Sequence, residues 1–206
     1  MPGSGINTSI YAPDESIKRS DDNLSFLFIA RLIKDKGIEE YIEAIKQLKP
    51  LHPKVSFKIL GSLYPGNPTS IQEKELNSWI EEDLVQYLGH SDDVKSEILK
   101  IDCVVLPSYR EGLSRVLLEA ASLTKPIITT DTPGCRDVVD DGVNGFLCAV
   151  KDSTDLALQI QKMISLTTEE RATMGQKGRE KIINEFEENL VIEKYINTNR
   201  YYYRPN

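Results

Sequence analysis

The sequence predicts an α/β fold: a Rossmann-like, doubly wound parallel sheet of about six strands with helices on both faces. Three observations predict it. Short runs rich in β-branched or aromatic residues alternate with amphipathic helical patterns up to residue 150. Strand patterns stop after Lys151 and helical ones take over. The chain of 206 residues, 40% hydrophobic and 28% charged, is long and apolar enough to bury a substantial core. Parallel strands need long crossovers, so a strand–helix alternation favours a parallel sheet covered on both faces.

The elements follow in order. The strand runs are LSFLFIA (Leu24 to Ala30), VSFKIL (Val55 to Leu60), VQYLG (Val85 to Gly89), IDCVVLP (Ile101 to Pro107) and PIITT (Pro126 to Thr130), with GFLCAV (Gly145 to Val150) as a weaker sixth. Turn residues bound each run. Between them lie GIEEYIEAIKQL, with Ile38, Tyr41, Ile42 and Ile45 on one face, then TSIQEKELNSWIEE, DDVKSEILK and SRVLLEAASL. STDLALQIQKMISL, TTEERATMGQKGREKIINEF and a last segment from Leu190 complete the helices. The opening MPGSGINTSIYAPDES holds Pro, Gly and Ser with no element before it, so residues 1–23 are read as a linker remnant of a longer protein. Residues 24–188 are read as the domain and 189–206 as a C-terminal helix and tail.

Charge and cysteine content exclude several classes. A net charge of −7 and a pI near 5.0 oppose bulk attraction to nucleic acid or anionic lipid, so no nucleic-acid partner is expected and any anion site must be local. Cys103, Cys135 and Cys148 are widely spaced, without a Cys-x-x-Cys, and His52 and His90 lie far apart; neither a disulfide framework nor a zinc site is readable. A reduced, cytoplasmic protein is the expectation. No apolar run approaches the roughly 18 residues of a membrane span.

In open parallel sheets ligands bind at the carboxyl ends of the strands. Strand one ends in ARLIKDKG, which puts Arg31 at its tip and Lys36 just before a helix whose amino terminus adds partial positive charge. Strand four ends in LPSYREGLS, so Glu111 lies in a loop and the backbone amides of Gly112, Leu113 and Ser114 lead into the next helix. Glu119 follows inside that helix among Leu117, Leu118, Ala120 and Ala121, where an unpaired charge is costly. A hydroxyl-bearing ligand or a cation would resolve it. From spacing alone Arg31 also fits an ion pair with Asp35, Lys36 a solvated turn, and Glu111 a complement to the helix dipole. His90 and GSLYPGN lie on the same rim, and a base pocket is expected around Gly89 and His90. PGCRD (Pro133 to Asp137) reads as a tight turn into a helix, and Cys135 has no histidine nearby to make it a nucleophile. RYYYR reads as an aromatic docking surface.

Together ARLIKDKG, LPSYREGLSRVLLEA and KPIITTDTPGCRDVVDDGVNGFL resemble the carboxyl-terminal nucleotide-sugar-binding domain of group 1 (family 4) retaining glycosyltransferases, over nearly the whole chain. The resemblance implies one half of a two-domain GT-B enzyme, with the amino-terminal acceptor-binding domain absent from this chain. By the same resemblance Arg31 and Lys36 hold the donor diphosphate and stabilise it as leaving group, and Glu119 accepts from the ribose hydroxyls. Glu111 lies near the donor sugar, the amides of Leu113 and Ser114 face phosphate and sugar, and Gly112 counts with them as substrate-binding. Ser114 stands where many relatives have Gly or Pro. The variant most resembles bacterial enzymes of capsular or lipid-linked polysaccharide synthesis using UDP-sugars.

The expected partners are therefore a nucleotide-sugar donor, the amino-terminal domain of the same enzyme and a sugar or lipid-linked acceptor, with membrane association only through the other half. No cofactor is expected, and no metal, because the sequence has no Asp-x-Asp. Two alternatives stay open: a GT-B sugar-nucleotide epimerase, and a non-catalytic nucleotide-binding or docking module.

Overall fold

The computed structural model describes residues 5–14, 16–17 and 23–202, with side chains described as far as residue 196. Among the described residues six strands form one sheet: β1 (Ser25–Ile29), β2 (Ser56–Leu60), β3 (Gln86–Tyr87), β4 (Cys103–Leu106), β5 (Ile127–Thr130) and β6 (Gly145–Cys148). All pairings are parallel, in the order β3-β2-β1-β4-β5-β6. β1 and β4 are buried throughout, as continuous apolar runs covered on both faces must be. The chain reverses its winding direction between β1 and β4, and that reversal opens a crevice at their carboxyl ends.

The helices are α1 (Ile38–Leu48), α2 (Glu73–Glu81), α3 (Val94–Leu99), α4 (Arg115–Ser122), α5 (Ser153–Ser165), α6 (Thr168–Glu185) and α7 (Glu188–Tyr202). Right-handed crossovers put α1 and α4 on opposite faces, because β1 leads towards one edge of the sheet and β4 towards the other. α5 packs beside α1, and α6 beside α4. The α1 side is aromatic: Tyr41 is fully buried, stacks on Phe28 at 5.6 Å, and donates its hydroxyl to the Phe26 carbonyl at 3.3 Å. A buried phenol needs such a partner.

Two local differences from the sequence reading have simple causes. The predicted third strand shrinks to two residues at the sheet edge, where one neighbour alone supplies ladder bonds. Residues 132–139 form successive turns rather than entering a helix: Gly134 takes φ +81°, and its amide donates to the Asp137 carboxylate at 3.3 Å. That side-chain acceptor competes with helical bonding.

Residues 5–14 are tied down. Ile6, 3% exposed, donates to the Phe186 carbonyl at 2.9 Å and accepts from the Glu188 amide at 3.1 Å, bracketing the α6–α7 junction. The aromatic stretch RYYYR extends past Tyr202 outside the described residues. Among the described residues no helix is long and apolar enough to cross a membrane.

Candidate functional site

The crevice between β1 and β4 is built from two loops and two helix amino termini. After β1 the chain makes a single 3₁₀ turn (Lys34–Lys36) and reaches Gly37, the N-cap of α1. Gly37 has φ +74°, and a Cβ there would lie 2.0 Å from the Pro107 carbonyl oxygen. Only glycine lets the start of α1 approach the loop after β4 so closely. The same approach is tied by Tyr109, whose amide donates to the Asp35 carbonyl at 2.9 Å, and by the Ser108 hydroxyl, which donates to that carbonyl at 3.2 Å.

That register brings Lys36 against Glu111. Lys36 Nζ donates to Glu111 Oε1 at 2.6 Å, with the two side chains 20% and 12% exposed. Lys36 is therefore not a solvated turn lysine, and Glu111 does more than face the helix dipole. Arg31 is exposed and lies over the Tyr64 ring, 5.0 Å from its centroid, rather than on Asp35. Such stacking orients a guanidinium while leaving its in-plane N–H donors available.

α4 begins at Arg115 with Ser114 as N-cap, and the Ser114 hydroxyl makes no capping bond. The N-cap of α1 supplies none either. Away from the crevice α3, α5 and α6 are capped by Asp93, Asp152 and Thr167. The two helices that open onto the crevice thus leave first-turn amides without a side-chain acceptor, the arrangement that suits an anion. Gly112 is exposed, Leu113 half-buried and Ser114 buried in the connecting loop.

Glu119 is 6% exposed, and its partner in the structure is a cation: Arg115 Nε donates to Glu119 Oε1 at 2.9 Å, one turn away on the same helix. Tyr11 lies beside the pair; burial pushes its phenol up from the usual range. Behind the loop, Tyr109 donates its hydroxyl to Glu40 Oε1 at 2.8 Å, and burial with the neighbouring Glu40 carboxylate raises the phenol so that it stays a neutral donor. Lys151 lies 4.7 Å from the Tyr109 ring centroid.

Arg31, Lys36, Glu111, Leu113, Ser114 and Arg115 line one cleft of about 230 Å³ at the β1–β4 crevice. A larger cleft of about 740 Å³ adjoins it, shares Glu111 and Leu113, and is also lined by Gly112, Gly134, Arg136, Lys181 and Lys194. The structure thus gathers the residues singled out in the sequence around one seam, with Glu119 behind it on α4. His90 is exposed and 3.3 Å from Asp92, outside both clefts. Cys135 is buried, and Cys103 and Cys148 are held high by burial, so none is poised as a nucleophile. Sequence reasoning did not single out Arg115, although an Arg and a Glu four residues apart on a helix are a readable pair. Tyr64 in GSLYPGN and Tyr109 in LPSYREGLS carry no local sequence signal of their contacts with Arg31 and Glu40.

The profile of a family described as "Glycosyl transferases group 1" matches residues 13–181. The capsular polysaccharide biosynthesis glycosyltransferase CapM of Staphylococcus aureus is 32% identical over 177 residues, which are 86% of this chain and 46% of that protein. The N,N'-diacetylbacillosaminyl-diphospho-undecaprenol alpha-1,3-N-acetylgalactosaminyltransferase of Campylobacter jejuni is 29% identical over 171 residues, 82% of this chain and 43% of that one. Among solved structures, Anabaena Alr3699/HepE in complex with UDP is similar with a TM-score of 0.83 and 25% identity, over 94% of this chain and 55% of that one. The chain spans about half the length of the curated relatives it matches, and its sheet is the Rossmann-like unit of GT-B glycosyltransferases. The chain belongs to the group 1 glycosyltransferase family.

Proposed function

We propose that this chain is the donor-binding domain of a retaining glycosyltransferase that takes a UDP-sugar and transfers its sugar to a polysaccharide or lipid-linked acceptor held by an amino-terminal half. The observation that carries the reading is the convergence of Arg31, Lys36, Glu111 and the α4 amino terminus on one crevice at the β1–β4 switch point. UDP in HepE supports the nucleotide, and the capsular and undecaprenol-linked relatives support the acceptor class.

Cleaving the bond between the sugar's anomeric carbon and the diphosphate leaves an electron pair on a phosphate oxygen. Groups that bind this charge more strongly as it develops lower the barrier. In this reading Arg31 and Lys36 do so from the loop after β1, helped by the first-turn amides of α4. Lys36 already bonds Glu111, so the carboxylate steers the ammonium into the crevice next to where the sugar sits. Glu119 accepts from the ribose hydroxyls, and the amides of Gly112, Leu113 and Ser114 face phosphate and sugar. Fixed cations in this role and the absence of Asp-x-Asp in the sequence support chemistry without a metal. In this reading residues 1–23 join the two halves, residues 24–188 bind the donor, and residues 189–206 form the closing helix and tail. The isolated chain binds donor without transferring it, and the full enzyme works in the cytoplasm, at the membrane only through its other half.

Calorimetric titration with UDP, GDP, ADP and their sugar conjugates in excess EDTA tests this. The expected result is selective binding of UDP species, lost in Glu119→Ala while pyrophosphate binding is largely kept. Equal losses of UDP and pyrophosphate would make Glu119 structural. No binding by a folded chain would favour a docking module instead.

A further inference from the structure

At the back of the crevice lies an ion pair that the donor reading leaves unexplained. Arg115 and Glu119 are bonded at 2.9 Å, but the arginine side chain is 74% exposed and the glutamate 8%. Glu119 is fixed within α4 between the buried Leu118 and Ala120. Arg115 is a long side chain in solvent that also lines the small cleft with Arg31 and Lys36. One partner can leave and the other cannot.

We propose that Arg115 fills the ribose subsite of the free chain and moves to the donor diphosphate on binding, so that ribose recognition depends on the anion. This rests on the donor reading above. If Arg115 departs alone, Glu119 is left as a buried, unpaired charge, which is costly. Two ribose hydroxyls restore its hydrogen bonds but bring no positive charge, so a neutral nucleoside exchanges a charge-assisted contact for weaker ones. A nucleoside diphosphate carries its own anion into the cleft that Arg115 lines. There the planar guanidinium finds a bidentate acceptor and the two exchanges complete each other. Lys36 and Glu111, 20% and 12% exposed, line the same cleft as a pair with no exposed member, so Arg115 is the partner free to change places. Arg115 is thus a specificity-determining residue that selects charged donors over nucleosides and over other hydroxyl-bearing ligands.

The test is calorimetric titration of the wild-type chain and of Arg115→Ala with uridine, UDP and inorganic pyrophosphate. Arg115→Gln, neutral but still able to bond Glu119, serves if the alanine variant does not fold. Removing the arginine is expected to tighten uridine about tenfold and weaken UDP about tenfold, the scale of one charge-assisted hydrogen bond in each direction. Equal changes for uridine and UDP, or none, with UDP still bound by the wild type, would overturn this inference alone. Absence of UDP binding by every folded variant, wild type included, would remove the donor reading and this inference with it.

Discussion

Arg31 and Lys36 leave β1 five residues apart and meet different surroundings, which separates their two possible contributions, to binding and to stability. Arg31 is exposed over the half-exposed ring of Tyr64. Lys36 is 20% exposed and bonded to a Glu111 that is 12% exposed. Replacing either by alanine is expected to weaken UDP binding by about 1.5–3 kcal/mol if each donates a charged hydrogen bond to the diphosphate. Their effects on stability should diverge. Arg31→Ala changes an exposed position and should stay within about 0.5 kcal/mol. Lys36→Ala strips a nearly buried carboxylate of its partner and should cost about 1–3 kcal/mol. Calorimetry gives the first pair of numbers and urea unfolding the second; unchanged UDP affinity in both variants would overturn the assignment of Arg31 and Lys36 to the diphosphate.

At the scale of elements, Gly134 shows how the turn after β5 fixes the loop after β4. Its φ is +81°, and a Cβ would lie 1.4 Å from the Gly112 carbonyl oxygen, backbone against backbone. No side chain can yield there. Gly134→Ala is expected to destabilise by about 3 kcal/mol or more, combining left-handed strain with a forced shift of the loop. Because that shift moves Gly112 to Ser114, UDP affinity should fall in parallel; Gly112→Ala, whose Cβ meets open space, should leave stability near wild type. This contact also marks where reading the sequence stops. The strands and helices were legible because each carries its own period: apolar runs for buried strands, and Ile38, Tyr41, Ile42 and Ile45 at helical spacing for α1. The Arg115–Glu119 pair was legible in principle from its spacing of four. Lys36–Glu111 was not, since its partners are 75 residues apart and meet only because β1 and β4 are sheet neighbours. At 132–139 the tight turn at Gly134 was legible, but the absence of a helix after it was not, because the shape there answers to the Gly112 carbonyl as well as to local propensity.

Across the whole molecule, one side chain joins the entering segment to the helix that carries Glu119. Arg179 of α6 donates to the Tyr11 carbonyl at 3.0 Å, to the Thr8 carbonyl at 3.3 Å and to the Ser122 carbonyl at the end of α4. The Ser122 hydroxyl donates to the same Tyr11 carbonyl at 2.7 Å. At its other end the segment is bracketed by Phe186 and Glu188, and Tyr11 stands beside Arg115 and Glu119. Residues 5–14 therefore touch both the α6–α7 junction and the Arg115–Glu119 pair, and displacing them should be felt at Glu119. Arg179→Ala removes the donor from several half-buried carbonyls at once, an expected loss of about 2–3 kcal/mol. For a chain of this size that lowers Tm by roughly 5–10 °C. Hydrogen exchange is the sharper readout: the Ile6 and Tyr11 amides, bonded to Phe186 and Asn7, should exchange much faster in the variant while β1 and β4 amides keep most of their protection. A loss of protection spread evenly over the sheet would mean that Arg179 supports the fold globally. Unchanged exchange at Ile6 and Tyr11 would show that the segment is held without it, and that movement of residues 5–14 is not transmitted to Glu119 through this arginine.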